Sequence, residues 1–256
     1  MKTALKAILV IAFIAGFGLV ARAEKPFIVT KSNKKVIADK VAADSRGVLT
    51  YTASGFSRKM KPGEYKYARV SKPKAVSNAF KKLKSKKYAD AAKAFGKAYK
   101  SYRYLGWNVY CIYYGAAALN KNGNKSAAIA RINLIKKPPV DRVKIANYLK
   151  AKKLLAELYI DSNKFDEAEE VLKELGTAQS ASIAAFANVK QGDILLKKDK
   201  RKDALLMYLR TVLLFNKSNK KERPEALKKT IEILKKDKNN KYLVFEKMLK
   251  TDYPGL

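Results

Sequence analysis

The fold of this chain is decided by the stretch Tyr159-Ile-Asp-Ser-Asn-Lys-Phe-Asp-Glu-Ala168. An apolar segment of helical period ends in a short polar turn, and an aromatic or basic residue then precedes an alanine that opens a second helix. The same order of features recurs at residues 83–91, 119–128 and 195–204. We call the alanine that ends each of these stretches the closing alanine. The four closing alanines are spaced 37, 40 and 36 residues apart, and they are Ala91, Ala128, Ala168 and Ala204. This period predicts four helix–turn–helix units.

Each unit also carries a small residue on its first helix and a large residue shortly after the closing alanine. The small residues are Ala79, Ala116, Ala156 and Gly192. The large residues are Phe95, Ile132, Leu172 and Tyr208. Small residues let two helices approach closely, while the large ones fill the groove toward the next unit. A weaker fifth unit runs from Pro224 to Pro254 and lacks the closing alanine.

These positions resemble the tetratricopeptide repeat (TPR) family. The resemblance implies a mostly α fold, with a right-handed TPR-like helix-pair solenoid of four to five pairs over residues 73–256. It also implies that the first helix of each pair lines a concave groove. The observed period exceeds the usual length of about 34 residues, and Pro138-Pro139 interrupts the chain after the second unit. We therefore expect an irregular solenoid.

Residues 24–72 follow a different pattern, in which short apolar runs alternate with Gly, Pro and Asn turn signals. The runs are Phe27–Val29, Val36–Ala43, Val48–Thr52, Phe56–Met60 and Tyr65–Val70. Such spacing predicts a small antiparallel β-meander of four or five strands that packs against the helices, because its own core is thin. Two roles stay open for this β unit, an accessory cap or a small ligand-binding or docking module.

Residues 1–23 have the three parts of a signal peptide. Lys2 and Lys6 form a basic start, the stretch Ala7–Val20 is apolar and uncharged, and Ala21-Arg22-Ala23 matches a cleavage site. The apolar stretch is shorter than the roughly 20 residues that span a bilayer. We therefore expect export to the periplasm or cell envelope, or secretion, with an uncleaved N-terminal anchor as the alternative.

The composition argues against catalysis. The chain has 56 Lys and Arg against 22 Asp and Glu, a net charge of +34, no histidine and one cysteine. Histidine-based triads and His or Cys metal sites are therefore excluded, and no Gly-rich phosphate loop is present. We predict no catalytic, cofactor or metal site and a non-enzymatic protein. An exported protein also meets no DNA, so nucleic acid is not an expected partner in spite of the basic charge.

The charge is unevenly distributed. Residues 74–156, here called the basic block, hold 20 Lys and Arg and only two acids. Residues 157–174 hold seven acids and two lysines. The basic block is either a solvated face, a surface for an acidic protein partner, or a binding site for an anionic envelope lipid or glycan.

An aromatic cluster lies inside the basic block. It consists of Tyr99, Tyr102, Tyr104, Trp107, Tyr110, Tyr113 and Tyr114. Helical spacing places Trp107, Tyr110 and Tyr114 on one face. This face either packs between the first and second units or forms an aromatic floor for a peptide or a sugar ring.

The resemblance to the TPR family implies which residues contact a partner in the concave groove. They are Tyr110, Tyr113, Asn120 and Lys121 in the second unit and Lys150 and Lys153 in the third. The leading hypothesis is an exported scaffold that binds an acidic protein or peptide partner in the bacterial cell envelope. The alternative is a basic polyanion-binding or membrane-surface protein.

Overall fold

The computed structural model describes residues 24–139 and 142–256. The predicted signal peptide lies outside the described residues. The described chain begins with six short strands and continues with ten α-helices. No helix in these two ranges has the length and apolar character needed to cross a membrane.

The six strands form two antiparallel sheets of three strands each. The strands are β1 (Phe27–Thr30), β2 (Lys35–Ile37), β3 (Lys40–Ala43), β4 (Leu49–Ala53), β5 (Phe56–Met60) and β6 (Tyr65–Arg69). One sheet has the order β2-β1-β6 and the other the order β3-β4-β5. The last strand therefore returns to pair with the first, which a meander does not do.

The predicted single meander is wrong because the run Val36–Ala43 divides into two strands. The Ala38 amide donates to the Pro26 carbonyl at 2.9 Å, which keeps Ala38 with the first sheet. The Asp39 amide donates to the Thr52 carbonyl at 2.8 Å, which belongs to the second sheet. The chain thus changes sheets between two neighbouring residues, a step that period-two alternation does not reveal.

The ten helices follow one another in pairs. They are α1 (Lys74–Lys84), α2 (Tyr88–Tyr102), α3 (Asn108–Lys121), α4 (Lys125–Ile132), α5 (Arg142–Asp161), α6 (Phe165–Gly176), α7 (Ala181–Lys197), α8 (Arg201–Leu214), α9 (Glu222–Lys236) and α10 (Tyr242–Asp252). The two helices of each pair pack together, and the second helix of each pair packs on the first helix of the next.

One turn geometry joins the two helices of every pair. The residue at its corner has a left-handed φ between 52° and 81°, and the five corner residues are Lys86, Gly123, Asn163, Asp199 and Lys238. In the fourth pair, the Asp199 amide donates to the Leu196 carbonyl at 3.1 Å and the Lys200 amide donates to the Leu195 carbonyl at 2.8 Å. The other four turns make the equivalent two bonds. This bonding satisfies carbonyls that the ending helix would otherwise leave without a donor.

The small and large residues of the predicted units are buried as expected. All four closing alanines are fully buried, and so are the three first-helix alanines. Gly192 and the four large residues are buried as well. In the fifth pair the closing position is occupied by Leu243, which is 55% exposed, because no described helix packs beyond it. A small residue is needed only where a further helix must approach.

The β unit is held on the helices by an irregular segment between α2 and α3. Leu105 from this segment completes the core around Ile28 and Leu49. The Trp107 indole donates to the Val70 carbonyl at 3.1 Å. Gly106 has a φ of +92°, and a β-carbon there would stand 3.2 Å from the Ala68 carbonyl oxygen. The close approach of sheet and helix therefore requires glycine at this position.

Candidate partner-binding cleft

A cleft of about 390 Å³ lies between α3 and α5. Its lining residues are Tyr113, Ala117, Asn120, Lys121, Lys150, Lys153, Leu154 and Glu157. Five of the six residues expected to contact a partner are therefore brought together on one surface. The sixth, Tyr110, lies elsewhere.

Two further clefts continue this surface along α5. One, of about 470 Å³, shares Glu157 and extends to α7 and α9. The other, of about 550 Å³, shares Lys153 and extends to the loop before α9. We call the three together the inner cleft. The first helices of the second to fifth pairs, α3, α5, α7 and α9, all contribute to its wall.

Tyr110 belongs to the packing between α1, α2 and α3. Its ring centroid lies 4.4 Å from that of Tyr114, 5.4 Å from that of Trp107 and 6.4 Å from those of Phe80 and Phe95. Burial raises the pKa of Tyr110 to about 12. These contacts favour the packing interpretation of the aromatic cluster over an aromatic floor.

Tyr113 faces the inner cleft from α3. Its ring meets that of Tyr114 edge to face, with 4.7 Å between centroids. Burial raises the pKa of its hydroxyl, so the group stays protonated and able to donate a hydrogen bond. Tyr113 is thus the aromatic residue of the cluster that lines the inner cleft.

Lys153 bridges three first helices. Its amino group lies 4.2 Å from the centroid of the Phe186 ring on α7 and 3.4 Å from a carboxylate oxygen of Glu222 on α9. Both members of the ion pair are largely buried. A buried pair of this kind fixes the positions of its side chains, because removing either partner leaves a desolvated charge.

A second fixed group lies deeper along the inner cleft. The Lys190 amino group contacts Asp193 at 2.7 Å and Glu225 at 3.0 Å. The Tyr208 hydroxyl donates to the other carboxylate oxygen of Asp193 at 2.7 Å. Lys190, Asp193 and Glu225 therefore each have an oppositely charged partner within the protein.

Other polar groups of the inner cleft have no such partner. Among the described residues, no carboxylate pairs with Lys121 or Lys150, and no lysine or arginine forms an ion pair with Glu157. Burial raises the pKa of Glu157, although Lys221, Lys153 and Lys190 act in the opposite direction. The inner cleft therefore combines fixed, paired charges with a few polar groups that a bound molecule can reach.

The sequence does not single out Glu157, because this residue is the first of the seven acids in residues 157–174. Helical spacing could have found it, since Lys150, Lys153 and Glu157 lie at positions i, i+3 and i+7 of α5 and share one face. The contributions of Glu222 and Glu225 depend on how α9 approaches α5 and α7. No local sequence pattern carries that information.

The basic block contributes Lys121, Lys150 and Lys153 to the inner cleft, and its remaining lysines include a second group on the first helix pair. Nine of its lysines on α1, α2 and their turn are exposed, and none pairs with a carboxylate of the described residues. They are Lys74, Lys81, Lys82, Lys84, Lys86, Lys87, Lys93, Lys97 and Lys100. Asp90 is the one acid of this helix pair. None of these lysines contributes to the lining of the inner cleft.

The described residues contain no group of three or more His, Cys, Asp or Glu side chains that could hold a metal ion. The cysteine Cys111 is fully buried, and burial raises its pKa to about 12. A buried, protonated thiol is a poor nucleophile.

Comparison with known proteins supports the fold. No protein-family model and no curated protein sequence matches the chain. Among solved structures, the apo form of the quorum sensor NprR from B. thuringiensis matches with a TM-score of 0.56 and 15% sequence identity. The match covers 71% of this chain and 53% of NprR, so the chain spans about half the length of that protein. This likeness supports a TPR-like helical repeat fold.

Proposed function

We propose that this protein is a non-enzymatic, TPR-like scaffold whose inner cleft binds an acidic segment of a partner protein or peptide. The observation that carries the proposal is the continuity of the inner cleft along α5, with walls from four successive first helices. Surfaces of this shape suit an extended chain better than a compact small molecule. The lysines Lys121 and Lys150, which lack an acidic partner, favour acidic groups on the bound segment.

The proposal includes the finer architecture, a right-handed helix-pair solenoid. Five identical turns and the sequential packing of neighbouring pairs support it, because a repeated corner and a repeated contact generate a regular rotation from pair to pair. The neighbour NprR is a quorum sensor. A regulatory role, in which the cleft senses a partner, is therefore compatible with this fold.

The proposal also places the protein in the bacterial cell envelope, on the basis of the leader sequence alone. Expression in a Gram-negative host followed by cell fractionation and N-terminal sequencing tests this part. We expect a periplasmic species that begins at Glu24. A cytoplasmic species that retains Met1 would contradict export and would leave the binding proposal to its own test.

Site-specific photo-crosslinking tests the binding proposal. A photoreactive amino acid replaces Ala117, which lines the cleft without a charge of its own, and the matched control carries it at exposed Lys93 on α2. We expect a discrete protein adduct from position 117 that is lost when Lys150→Glu or Tyr113→Ala is added. Equal adducts from both positions, or an adduct that persists in both variants, would contradict a binding site in the inner cleft.

A second function is favoured by a different observation, the nine exposed lysines of the first helix pair. Such a surface suits an anionic envelope lipid or glycan by diffuse attraction. Vesicles that contain an anionic phospholipid test it, with vesicles of neutral lipid as the control. Binding that disappears in the combined variant Lys81→Gln, Lys82→Gln, Lys93→Gln and Lys97→Gln, and that weakens steeply with salt, would support it. If the Tyr113→Ala variant still binds the anionic vesicles, this binding does not use the inner cleft.

A further inference from the structure

We infer that the segment bound in the inner cleft carries an acidic residue and a basic residue three positions apart. This inference rests on the proposed function and specifies which chemistry the cleft selects. It follows from which charges the protein satisfies internally and which it leaves for a bound chain.

Several charged groups of the inner cleft are already paired within the protein. Lys153 is held by Glu222 and by the face of the Phe186 ring. Lys190 is held by Asp193 and Glu225. Asp161, at the end of α5, pairs with Lys125 at 3.0 Å. These groups shape the cleft, but each would have to give up a partner in order to bind a ligand.

Two places with remaining charge lie on the same face of α5. Lys197, Lys220 and Lys221 also have no carboxylate partner among the described residues, but they lie away from α5, on α7 and on the loop before α9. Lys150, together with Lys121 across the cleft on α3, presents ammonium groups without an acidic partner. Glu157 presents a carboxylate one turn beyond Lys153. One region therefore suits an acceptor from the bound segment, and the other suits a donor.

Glu157 has a physical reason to take a donor from outside. Its carboxylate is partly desolvated, and this desolvation together with the nearby charge of Asp161 outweighs the attraction of Lys221, Lys153 and Lys190, so the pKa of Glu157 is raised. A charged group that has lost water without gaining a hydrogen-bonded partner is destabilised. A lysine, an arginine or an N-terminal ammonium of the bound segment would supply the missing partner.

The spacing follows from the geometry of the α-helix and of the polyproline II helix. Lys150 and Glu157 are seven residues apart on α5, which corresponds to about 10 Å along the helix axis. An extended chain in the polyproline II conformation advances about 3.1 Å per residue and has three residues per turn, so residues three apart point to the same side. A segment that lies along α5 therefore meets both positions with residues three apart, and either direction of the chain satisfies the geometry.

A phage library that displays random twelve-residue peptides tests the inference on the full chain. We expect selected peptides to be enriched, about tenfold over other spacings, in an acidic residue three positions from a lysine or arginine. Selection on Glu157→Gln should keep the acidic preference and lose the basic one. Selection on Lys150→Met should do the reverse. The matched control is Glu170→Gln, which removes an exposed carboxylate from α6 outside the inner cleft and should change nothing.

A synthetic peptide from the selection then provides the affinity measurement. Glu157→Gln should weaken its binding about tenfold and leave unchanged the binding of the same peptide with its basic residue replaced by alanine. Cleft-binding peptides without the three-residue spacing, or equal loss for both peptides, would overturn the inference while the proposed function stands. A library that yields no peptide sensitive to Tyr113→Ala would overturn both.

Discussion

Tyr208 packs its ring directly on the backbone of Gly192. A β-carbon built on Gly192 would stand only 2.7 Å from a carbon of that ring. The ring is fully buried, and its hydroxyl is anchored on Asp193, the neighbour of Gly192. Helices α7 and α8 thus approach more closely than any side chain at position 192 would allow. The same contact positions Asp193, which in turn holds Lys190 in the inner cleft.

We therefore expect Gly192→Ala to lower the free energy of unfolding by about 1–2 kcal/mol, because overpacking in a closed core outweighs the gain in helix propensity. Urea denaturation followed by circular dichroism measures the change. The matched control is Gly176→Ala at the end of α6, where a β-carbon would meet only the Ala187 β-carbon at an ordinary 4.0 Å. That variant should be neutral or more stable. Equal losses in the two variants would contradict the close contact with Tyr208.

At a corner of the repeated turn, we expect a substitution by glycine to increase the stability of the protein. Lys238 has a φ of 52°, a conformation that costs an L-residue with a side chain about 1–2 kcal/mol. Because glycine also loses more freedom on folding, we expect Lys238→Gly to stabilise the protein by about 0.5–1 kcal/mol. Gly123→Ala at the equivalent corner should destabilise it by about 1 kcal/mol. Thermal melts would show shifts of opposite sign, and shifts of the same sign would contradict the shared turn geometry.

The thiol of Cys111 should be inert in the folded protein. Its pKa is raised to about 12 by burial, against the weaker opposing influence of Arg131. At pH 8 the thiolate fraction is therefore negligible, and the side chain is also shielded from reagents. We expect labelling by iodoacetamide only after urea unfolds the chain, as followed by intact-mass spectrometry. Rapid labelling of the folded protein would show that this region opens readily.

Glu157 should contribute a pH-dependent penalty to stability. Its folded pKa is raised, so the folded state binds the proton more tightly than the unfolded state, and the ionised carboxylate costs stability above the folded pKa. Glu157→Gln mimics the protonated group, and we expect it to melt at or above the wild-type temperature at pH 7. The difference should shrink as the pH falls through the raised pKa. A lower melting temperature for Glu157→Gln at pH 7 would mean that Lys221, Lys153 and Lys190 outweigh the desolvation.

The helical part could be predicted from sequence because its evidence is local and repeated. The turn at 195–204 contains its own corner residue, its closing alanine and the polar residues between them. The β unit could not be predicted to the same depth. Its order depends on β6 pairing with β1 across the whole unit, which is a long-range contact. The irregular segment at Gly106 could not be predicted either, because a single glycine among aromatic residues does not indicate that a sheet packs against it.

The candidate site divides in the same way. Tyr113, Asn120, Lys121 and Lys150 could be placed together because the resemblance to the TPR family implies that the first helix of each pair lines a groove. Tyr110 also lies on α3, but its ring packs against three rings, one each from α1, α2 and the irregular segment between α2 and α3. The ion pair between Lys153 and Glu222 joins residues 69 positions apart, so no local sequence pattern predicts it.

Because the same corner recurs in every helix pair, a duplication or deletion in the gene can change the number of helix pairs. Asn163 and Asp199 occupy the same corner with the same two hydrogen bonds. A tandem duplication of residues 164–199 would therefore begin and end at equivalent points, and it would add one helix pair without requiring a new loop. A matching loss would remove one. Recombination between such corners would lengthen or shorten the inner cleft in whole steps, so descendants of one gene could come to fit partners of different length.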